Sequence, residues 1–474
     1  MNANRPKNAH SASDFQLRTR PLPLVADIEL VAKAFANQAW TIWLDSGHSE
    51  HRDSLYDILV FDPDVTITTS ITSSKVVNNR TGDLLVNNDD PLTIIDEQMA
   101  KLFVDGCEEQ ADLPFVGGAV GYFAYDLGRR FENLPATSLI DISLPDMAIG
   151  IYSKALVYNR KTKQYTLLSW HDDLADLAKM ITNTIKAVDC AEQNDNRFRL
   201  QTDWRANMSE SAYRQKFSQV QEYLLSGDCY QINLAQRFSA LYQGDEFVAY
   251  QTLRQANNAP FSAFMRLEHG SILSVSPERF LKISEQRVET KPIKGTRPRS
   301  HDPIIDKQNQ DDLQHAPKDR AENLMIVDLL RNDIAKACVA GSVRVPSLFA
   351  IESFPAVHHL VSTIEGKLAA DKHPTDLLRG AFPGGSITGA PKIRAMQIIE
   401  ELEPHRRSVY CGSIGYISAC GKMDTSITIR TLVCEHNTIH CWAGGGLVAD
   451  SQVDSEYQET FDKVAKILPT LKQL

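Results

Sequence analysis

The chain has 474 residues, 43% of them hydrophobic, which fits a folded protein with one large core or two to three modest domains. Its net charge of -10 argues against nucleic acid or an anionic membrane as the main partner, because both require a dominant basic surface. No window of eighteen apolar residues predicts a membrane span, and the N-terminus lacks the apolar core of a secretory signal. These features predict a cytoplasmic enzyme with a short flexible start.

The eight cysteines are scattered along the chain. They form no CxxC pair and do not show the ligand spacing of a zinc site. We therefore expect them to be reduced and buried.

The first region of the chain, residues 1–190, mixes short helices with strand-like runs. Apolar periodicity predicts helices over IELVAKAF, LTIIDEQMAKLF and residues 174–188. Runs of β-branched and aromatic residues predict strands over TIWLDS, YDILVF, PFVGGAVGYFAYDLG and MAIGIYSKALVYN. The polar stretch EQNDNRFRLQTDW, residues 192–204, is the best candidate for a linker.

The second region, residues 205–474, begins with a predicted helix over residues 210–225, followed by a turn and a strand in GDCYQINLAQRF. The buried face of that helix should hold Tyr213, Phe217, Val220 and Leu224. Strands should dominate 262–291 and 409–443, with helices over 319–337, 389–402 and 454–468. Because helices and strands come in blocks, we predict an α+β fold in which large antiparallel sheets pack as a sandwich and are flanked by helices.

Residues 276–299, SPERFLKISEQRVETKPIKGTRPR, predict a hairpin in which FLKIS and RVETK flank the turn EQ. This hairpin would carry Glu278 and Lys294 on adjacent strands. Since Ile293 and Gly295 flank Lys294, its amine should be partly buried, which would lower its pKa and make it a nucleophile or base. The alternative is a surface hairpin whose two charges are simply solvated.

Two helices each offer a pair of carboxylates three residues apart, a spacing that places both on one side of a helix. The pairs are Asp319 with Glu322, and Glu456 with Glu459. If the pairs face each other, their oxygens suit a magnesium ion that also binds an anionic substrate. The alternative is that these acids only favour the N-terminal ends of their helices.

Two glycine-rich segments could approach an anion through backbone amides: FPGGSITGAPK at 382–392 and WAGGGLVADS at 442–451. Arg430 and Tyr416 lie on strand-like runs from which they could reach a carboxylate. An isolated histidine such as His359 is more often a core residue than a catalytic residue. The residues alone predict a magnesium-dependent enzyme that acts on a small anion.

These motifs resemble the chorismate-utilising enzymes, a family that includes anthranilate, aminodeoxychorismate, isochorismate and salicylate synthases. From about residue 205 onward the resemblance is carried by GDCYQINLAQRF, SPERF, PIKGTRPR, AENLMIVDLLRND, HHLVSTIEG, FPGGSITGAPK, TSITIRT and GGGLVADS. Before that point WLDSG, YDILVFDP and GGAVGYFAYD match more loosely. The resemblance implies the chorismate-binding fold, with chorismate as substrate and Mg2+ as cofactor.

The same resemblance implies roles for individual residues. Glu322 and Glu459 match the family's magnesium ligands, with Asp319 and Glu456 where metal-bound waters are held. The catalytic residues that it implies are Glu278 as general acid/base near the C4 hydroxyl, His359 near the ring, and Lys294. The residues that it implies for substrate binding are Tyr416, Arg430, Gly444, Gly445, Ser386 and Gln231.

Two positions indicate the aminodeoxychorismate branch. Gln231 stands at the position where water-using members of the family carry a lysine base. Lys294 lies in the segment PIKGT, where anthranilate synthase usually has PIAGT. The branch implies that Lys294 adds at C2 of chorismate, that the C4 hydroxyl leaves, and that ammonia then enters at C4. Anthranilate synthase remains an alternative that Lys294 disfavours, and a catalytically silent regulatory homologue is a third.

Two partners follow from the resemblance. No cysteine lies in a GxCxG context, so ammonia would come from a separate glutaminase subunit. WLDSG resembles the part of the family fold that binds tryptophan, although Asp45 departs from the LLES pattern of anthranilate synthase.

Overall fold

The computed structural model describes residues 15–47, 53–104, 112–190, 197–353 and 357–474. The helices in these ranges are α1 Ile28–Phe35, α2 Pro91–Leu102, α3 Leu174–Cys190, α4 Glu210–Leu225, α5 Glu246–Asn257, α6 Pro303–His315, α7 Pro317–Ala335, α8 Pro374–Ala381, α9 Lys392–Leu402, α10 Val453–Asp462 and α11 Leu468–Lys472. Two 3-10 turns cover Tyr125–Arg130 and Gly385–Ile387.

The strands of the first half are β1 Arg18–Leu22, β2 Ile42–Asp45, β3 Tyr56–Val60, β4 Val65–Ser70, β5 Ser73–Asn78, β6 Leu84–Asn87, β7 Gly118–Phe123, β8 Met147–Tyr152, β9 Lys154–Asn159, β10 Gln164–Ser169, β11 Arg199–Leu200 and β12 Arg205–Ala206. Those of the second half are β13 Gln231–Gln243, β14 Phe261–Arg266, β15 Ser271–Ser276, β16 Arg279–Ser284, β17 Arg287–Thr290, β18 Ile293–Pro298, β19 Arg344–Ser353, β20 Val357–Lys367, β21 Gly389–Ala390, β22 Ser413–Ser418, β23 Met423–Ile427, β24 Thr431–Glu435 and β25 Thr438–Leu447.

The strands form two large antiparallel sheets. The first runs β1-β10-β9-β3-β2-β14-β15-β24-β25-β13-β11, with β12 and β21 also paired to β13. The second runs β18-β20-β17-β16-β23-β22-β7-β8-β4-β5-β6, with β19 also paired to β20. Both sheets contain strands from both halves of the sequence, joined at β2 with β14 and at β7 with β22. The boundary between the two sequence regions is therefore not a boundary between sheets.

The sheets pack face to face around the main core. That core combines Ile58 and Met265 of the first sheet with Tyr122 and Leu281 of the second, all at most 3% exposed. Helices α1, α3 and α5 cover the outer face of the first sheet in a second core, and α4 and α9 pack on one end of β13 in a third. The structure confirms the predicted α+β sandwich with flanking helices.

Local sequence explains where the helices begin. The side chain of Ser209 accepts a hydrogen bond from the Ala212 amide and caps α4, as favoured N-cap residues do. Asp27 and Asp245 cap α1 and α5 in the same way. In α4 the four residues predicted to be buried are all buried, because apolar residues at positions i, i+4, i+7 and i+11 share one helix face.

Three sequence predictions need correction. The helix predicted over 454–468 ends at Asp462, and a separate helix begins at Leu468 with Pro469 in its first turn, where a proline costs no hydrogen bond. The predicted linker 192–204 lies partly outside the described residues, and its described part includes β11, which pairs with β13. This part is packed, because Phe198 is only 1% exposed.

The third correction concerns the hairpin. The hairpin itself is present as β16 and β17, with Glu285 and Gln286 both at positive φ in the turn. Lys294, however, lies beyond it in β18, which pairs with β20, while Glu278 immediately precedes β16. The two residues are therefore not on adjacent strands, and other parts of the chain bring them together.

The described cysteines are all free, and five of the seven are buried; Cys190 is exposed and Cys420 is half-buried. Among the described residues, no helix combines the length and the apolar character that crossing a lipid bilayer requires.

Candidate active site

Ser386 connects Glu278 to Lys294. Its hydroxyl donates a hydrogen bond to Glu278 Oε1 at 3.1 Å, and its backbone carbonyl accepts one from Lys294 Nζ at 3.3 Å. Ser386 lies in the 3-10 turn Gly385–Ile387, far from both partners in sequence. The structure thus brings together the carboxylate and the amine that the sequence singled out, through a third predicted residue.

A β-bulge sets the position of Lys294. The pairing register of β18 with β20 shifts between Lys294 and Thr296, so Gly295 is the extra residue of a bulge. Gly295 has φ +75°, and a Cβ at this position would lie 2.9 Å from Asp319 Cγ. Glycine is required here because the backbone is left-handed and the Asp319 carboxylate approaches it closely.

Burial shifts the pKa values of both groups in the direction that their predicted roles need. It lowers the pKa of Lys294, although the carboxylates of Glu322 and Glu278 oppose the shift. It raises the pKa of Glu278, against the effect of Lys294 and of the hydrogen bond from Ser386. A neutral amine and a protonated carboxylic acid are therefore more accessible in this site than in water.

Glu322 of α7 and Glu456 and Glu459 of α10 converge beside Lys294. Burial raises the pKa of Glu322, and the neighbouring charges of Asp319 and Glu456 raise it further. Burial also raises the pKa of Glu456, and Glu459 adds to this effect. Carboxylates that raise one another's pKa destabilise their charged forms, and a cation among them would relieve this cost.

Carboxylate oxygens are the type of ligand that Mg2+ prefers. Within the described ranges no three His, Cys, Asp or Glu side chains are gathered around one point as a complete protein cage. Mg2+ does not require such a cage, because it commonly binds through one or two carboxylates and keeps waters and substrate oxygens as its other ligands. Glu322 and Glu459 are the residues that would hold it; in this structure Glu459 pairs with Lys463 at 2.6 Å and Asp319 pairs with Arg297 at 3.2 Å.

Lys463 is a functional candidate that sequence reasoning missed. Its Nζ lies 2.6 Å from Glu459 Oε1 and donates a hydrogen bond of 2.6 Å to the Gly444 carbonyl. Its charge also lowers the pKa values of both Glu278 and Lys294. The spacing of four residues from Glu459 places both on one helix face and could have identified it.

Gly445 lets the carboxylates of α10 approach β25. A Cβ at this position would lie 3.1 Å from Glu456 Oε2 and 3.3 Å from Glu459 Oε1. The glycine segment therefore lies against the predicted metal ligands, and Gly444 next to it contacts Lys463.

Arg430 lies near Glu278, and His359 lies near Arg430. The Arg430 guanidinium makes no hydrogen bond or ion pair with any described residue, and burial lowers its pKa while Glu278 raises it. His359 Nδ1 and Thr296 Oγ1 are 2.9 Å apart, and burial with the nearby Arg430 charge lowers the pKa of His359 to about 4. Histidine is therefore neutral here at physiological pH, while the arginine remains available to an anion.

Gln231 begins β13 and is fully buried. Both its Oε1 and its Nε2 lack a hydrogen-bond partner in the described part of the chain. If Gly446 carried a side chain, its Cβ would lie only 2.2 Å from Gln231 Nε2, so the Gln231 side chain occupies the space beside Gly446. Gln231 thus adjoins the same glycine segment as the carboxylates.

Tyr416 is not part of this group, which corrects its prediction as a substrate-binding residue. Its side chain lines a separate cavity of about 380 Å3, together with Asp45, Ser46, Arg279 and Asp424. None of Lys294, Glu278 and Glu322 lines that cavity. The predicted strand around Tyr416 is present as β22, and from it the Tyr416 side chain faces this cavity.

Three comparisons show which known proteins this chain is similar to. The family model described as chorismate binding enzyme matches residues 41–469. Aminodeoxychorismate synthase component 1 of Klebsiella aerogenes is 52% identical over 92% of this chain and 95% of its own length, and that of Escherichia coli K12 is 54% identical over 92% and 94%. The crystal structure of anthranilate synthase component I from Streptococcus pneumoniae TIGR4 superimposes with a TM-score of 0.77 at 30% identity, covering 88% of this chain and 93% of that one.

Proposed function

The chain belongs to the family of chorismate-binding enzymes, and we propose that it aminates chorismate at C4 with ammonia to form 4-amino-4-deoxychorismate, the precursor of p-aminobenzoate. The position of Lys294 carries the proposal. Burial lowers the pKa of this amine, which donates a hydrogen bond to the backbone carbonyl of Ser386. The hydroxyl of Ser386 in turn donates a hydrogen bond to Glu278. The relatives that share 52 and 54% of the sequence are named for this activity.

In the first step the neutral amine of Lys294 adds to C2 of chorismate, both double bonds of the ring diene shift toward C4, and the C4 hydroxyl leaves as water with the proton of Glu278. The lysine nitrogen, which gains a positive charge on adding to carbon, returns a proton to Glu278. A buried amine and a protonated buried acid are the forms that this step requires.

In the second step ammonia adds to C4, both ring double bonds shift back, and the Lys294 amine leaves C2. One proton passes from the incoming nitrogen to the departing one, so the enzyme regains its starting state. Arg430 would bind the enolpyruvyl carboxylate, because its guanidinium is uncommitted and faces Glu278. Mg2+ held by Glu322 and Glu459 would neutralise the ring carboxylate.

Anthranilate synthase is the second candidate, supported by the matched fold of the S. pneumoniae protein. The anthranilate synthase reaction adds nitrogen at C2 of chorismate, whereas the reaction proposed here adds it at C4. In this chain the Lys294 amine occupies the site beside Glu278, where it competes with ammonia for C2. Product identification by mass spectrometry and NMR after incubation with chorismate, Mg2+ and ammonium salt separates the two activities.

We expect glutamine to support turnover only when a glutaminase subunit is added, whereas ammonium salt supports it without one. The relatives' designation as component 1 indicates a further component, and the sequence offers no GxCxG nucleophile context. Because only free NH3 is nucleophilic, the ammonium-dependent rate should rise with pH. The measurement is initial rate against pH with each nitrogen source; glutamine-dependent turnover by this chain alone would contradict the prediction.

The second cavity would bind tryptophan. Leu44, Asp45 and Ser46 of WLDSG form part of its wall, and Phe261 and Tyr416 add aromatic surface. The Asp45 charge is already neutralised, since it pairs with Arg254 and accepts a hydrogen bond of 2.9 Å from the Tyr250 hydroxyl. Asp45 therefore supports the wall of the cavity and leaves the contacts with a ligand to its neighbours.

Replacing Tyr416 by leucine should weaken tryptophan binding by about tenfold, the loss of roughly one aromatic contact, and leave the KM for chorismate unchanged. Calorimetric titration with tryptophan and steady-state kinetics measure the two effects. Tyr223→Leu, at a half-buried tyrosine of α4 that does not line this cavity, is the matched control. A higher chorismate KM in Tyr416→Leu, with tryptophan binding unchanged, would return Tyr416 to the substrate site.

A further inference from the structure

The turn that carries Ser386 is held in place by a buried arginine. Arg407 Nη1 donates a hydrogen bond of 3.1 Å to the carbonyl of Ile387, the residue that follows Ser386. Arg407 Nη2 donates another, of 2.7 Å, to the carbonyl of Asn233 in β13. One guanidinium therefore ties this turn to a strand of the first sheet.

The Arg407 guanidinium is itself held by Glu403. The two carboxylate oxygens of Glu403 accept hydrogen bonds of 3.0 and 2.7 Å from Nε and Nη2 of Arg407, and one of them also accepts the Ala235 amide at 2.9 Å. The arginine is only 1% exposed and the glutamate 6%. Because a planar, two-point pair shielded from water has one preferred geometry, the direction in which Arg407 Nη1 points is fixed.

Apart from Arg407, the turn forms hydrogen bonds outside its own segment only with the proposed acid and amine. In the described part of the chain, residues 385–387 bond to Lys294 through the Ser386 carbonyl, to Glu278 through the Ser386 hydroxyl, and to Arg407. A shift of this turn would therefore change both catalytic contacts at once.

We propose that Arg407 is a positioning residue for the amination of chorismate, which sets the place of Ser386 and thereby the separation of Glu278 and Lys294. This inference deepens the proposed function and rests on it. In the proposed first step Glu278 acts at C4 and Lys294 at C2 of the same ring, so both must be in place together. A change in their separation should slow this step more than it weakens the binding of chorismate.

The first test compares kcat with the KM for chorismate in Arg407→Lys. Lysine keeps a cation beside Glu403, but one ammonium does not reproduce the planar fork that also reaches the Ile387 carbonyl. Losing this hydrogen bond should lower kcat about tenfold, while the KM stays within about twofold of wild type. The turn itself should remain in place, because the Thr388 carbonyl still accepts a hydrogen bond of 2.9 Å from the Asn233 amide.

Arg237→Lys is the matched control. Arg237 also lies buried in the protein, at 5% exposed, and forms a two-point pair with Asp141 through hydrogen bonds of 2.8 and 2.5 Å. This substitution should lower the melting temperature much as Arg407→Lys does, but it should leave kcat and KM at their wild-type values. The comparison separates the position of the turn from the general cost of replacing a buried arginine.

A double variant tests whether Arg407 acts through Ser386. Ser386→Ala removes the hydroxyl that donates to Glu278 and should by itself lower kcat. If Arg407 acts by placing this hydroxyl, Arg407→Lys has less left to disturb in the alanine background. The combined loss in kcat should then be at least about threefold smaller than the product of the two single losses. Losses that multiply would show that the two residues act independently and would contradict the proposal.

The remaining outcomes also decide the proposal. A kcat of Arg407→Lys within about twofold of wild type overturns it, and so does an equal fall in Arg237→Lys. If Arg407→Lys does not melt cooperatively, Arg407→Met combined with Glu403→Gln decides, because it removes both charges together and keeps an acceptor for the Ala235 amide. Wild-type kcat in that variant, or its failure to fold, rejects the positioning role. Absence of C4 amination by wild type would instead reject the proposed function.

Discussion

Replacing Lys294 by arginine should abolish C4 amination nearly as completely as replacing it by alanine. A guanidinium remains protonated in proteins and does not add to carbon, so it can supply the charge of Lys294 but not its nucleophilic role. Both variants should lose at least about a hundredfold in kcat/KM, the lower range for removal of a chemical catalyst. Steady-state amination at C4, quantified by mass and NMR, measures this.

The alanine variant should also change the product. Ammonia can then attack C2 directly, because Gln231 and the carboxylates are unchanged and only the amine that occupies C2 is missing. The residual product should shift toward the anthranilate-type 2-amino isomer. In wild type, incubation with chorismate without ammonia should leave a chorismate-derived mass on the tryptic peptide that contains Lys294.

The same chemistry fixes the pH dependence of that adduct. Burial lowers the pKa of Lys294, so its neutral form persists to lower pH than that of an exposed lysine. Adduct formation should therefore fall only as the pH drops through this lowered pKa. Lys282→Arg, a half-buried lysine of β16 that lies outside the Glu278–Lys294 group, is the matched control and should retain wild-type rates. Near-normal C4 amination by Lys294→Arg would show that Lys294 contributes only its positive charge.

Glu322→Gln and Glu459→Gln should each abolish most activity and weaken Mg2+ binding. A neutral amide replaces an anionic ligand in a site whose carboxylates already raise one another's pKa, so little attraction for a divalent cation remains. We expect at least about tenfold weaker Mg2+ binding, comparable to the smallest effects of altering residues that support a metal ligand. Calorimetric Mg2+ titration and the Mg2+-induced rise in melting temperature measure this without reference to turnover.

Stability should move in the opposite direction in Glu322→Gln when no metal is present. Because Glu322 is half-buried beside Asp319 and Glu456, removing its charge relieves repulsion, and the metal-free variant should melt at or above the temperature of metal-free wild type. Asp328→Asn, on the exposed face of the same helix as Glu322, is the control and should bind Mg2+ as wild type does. Full turnover in excess chelator would contradict the magnesium proposal.

Much of the local structure could be read from the sequence. Helix α4 and its buried face, the hairpin of β16 and β17, and the carboxylate pairs at a spacing of three residues all depend on neighbours in the chain. Such features are set by helix and strand periodicity and by capping, which act over a few residues. The motif resemblance added the identity of the site residues, since spacing alone left solvated charges and helix-end acids as open alternatives.

Only the tertiary structure decided which of these residues meet. Ser386 joins Glu278 and Lys294 although it is 108 and 92 residues away from them, and no local pattern encodes such a contact. The alternation of side chains along a strand predicts which residues share a face of β22 with Tyr416. It does not predict which cavity lies on that face, because the cavity depends on the sheet against which β22 packs. The sequence determined the chemical groups and their local geometry, whereas the long-range pairing of strands, which buries some of those groups without partners, determined which of them form a site.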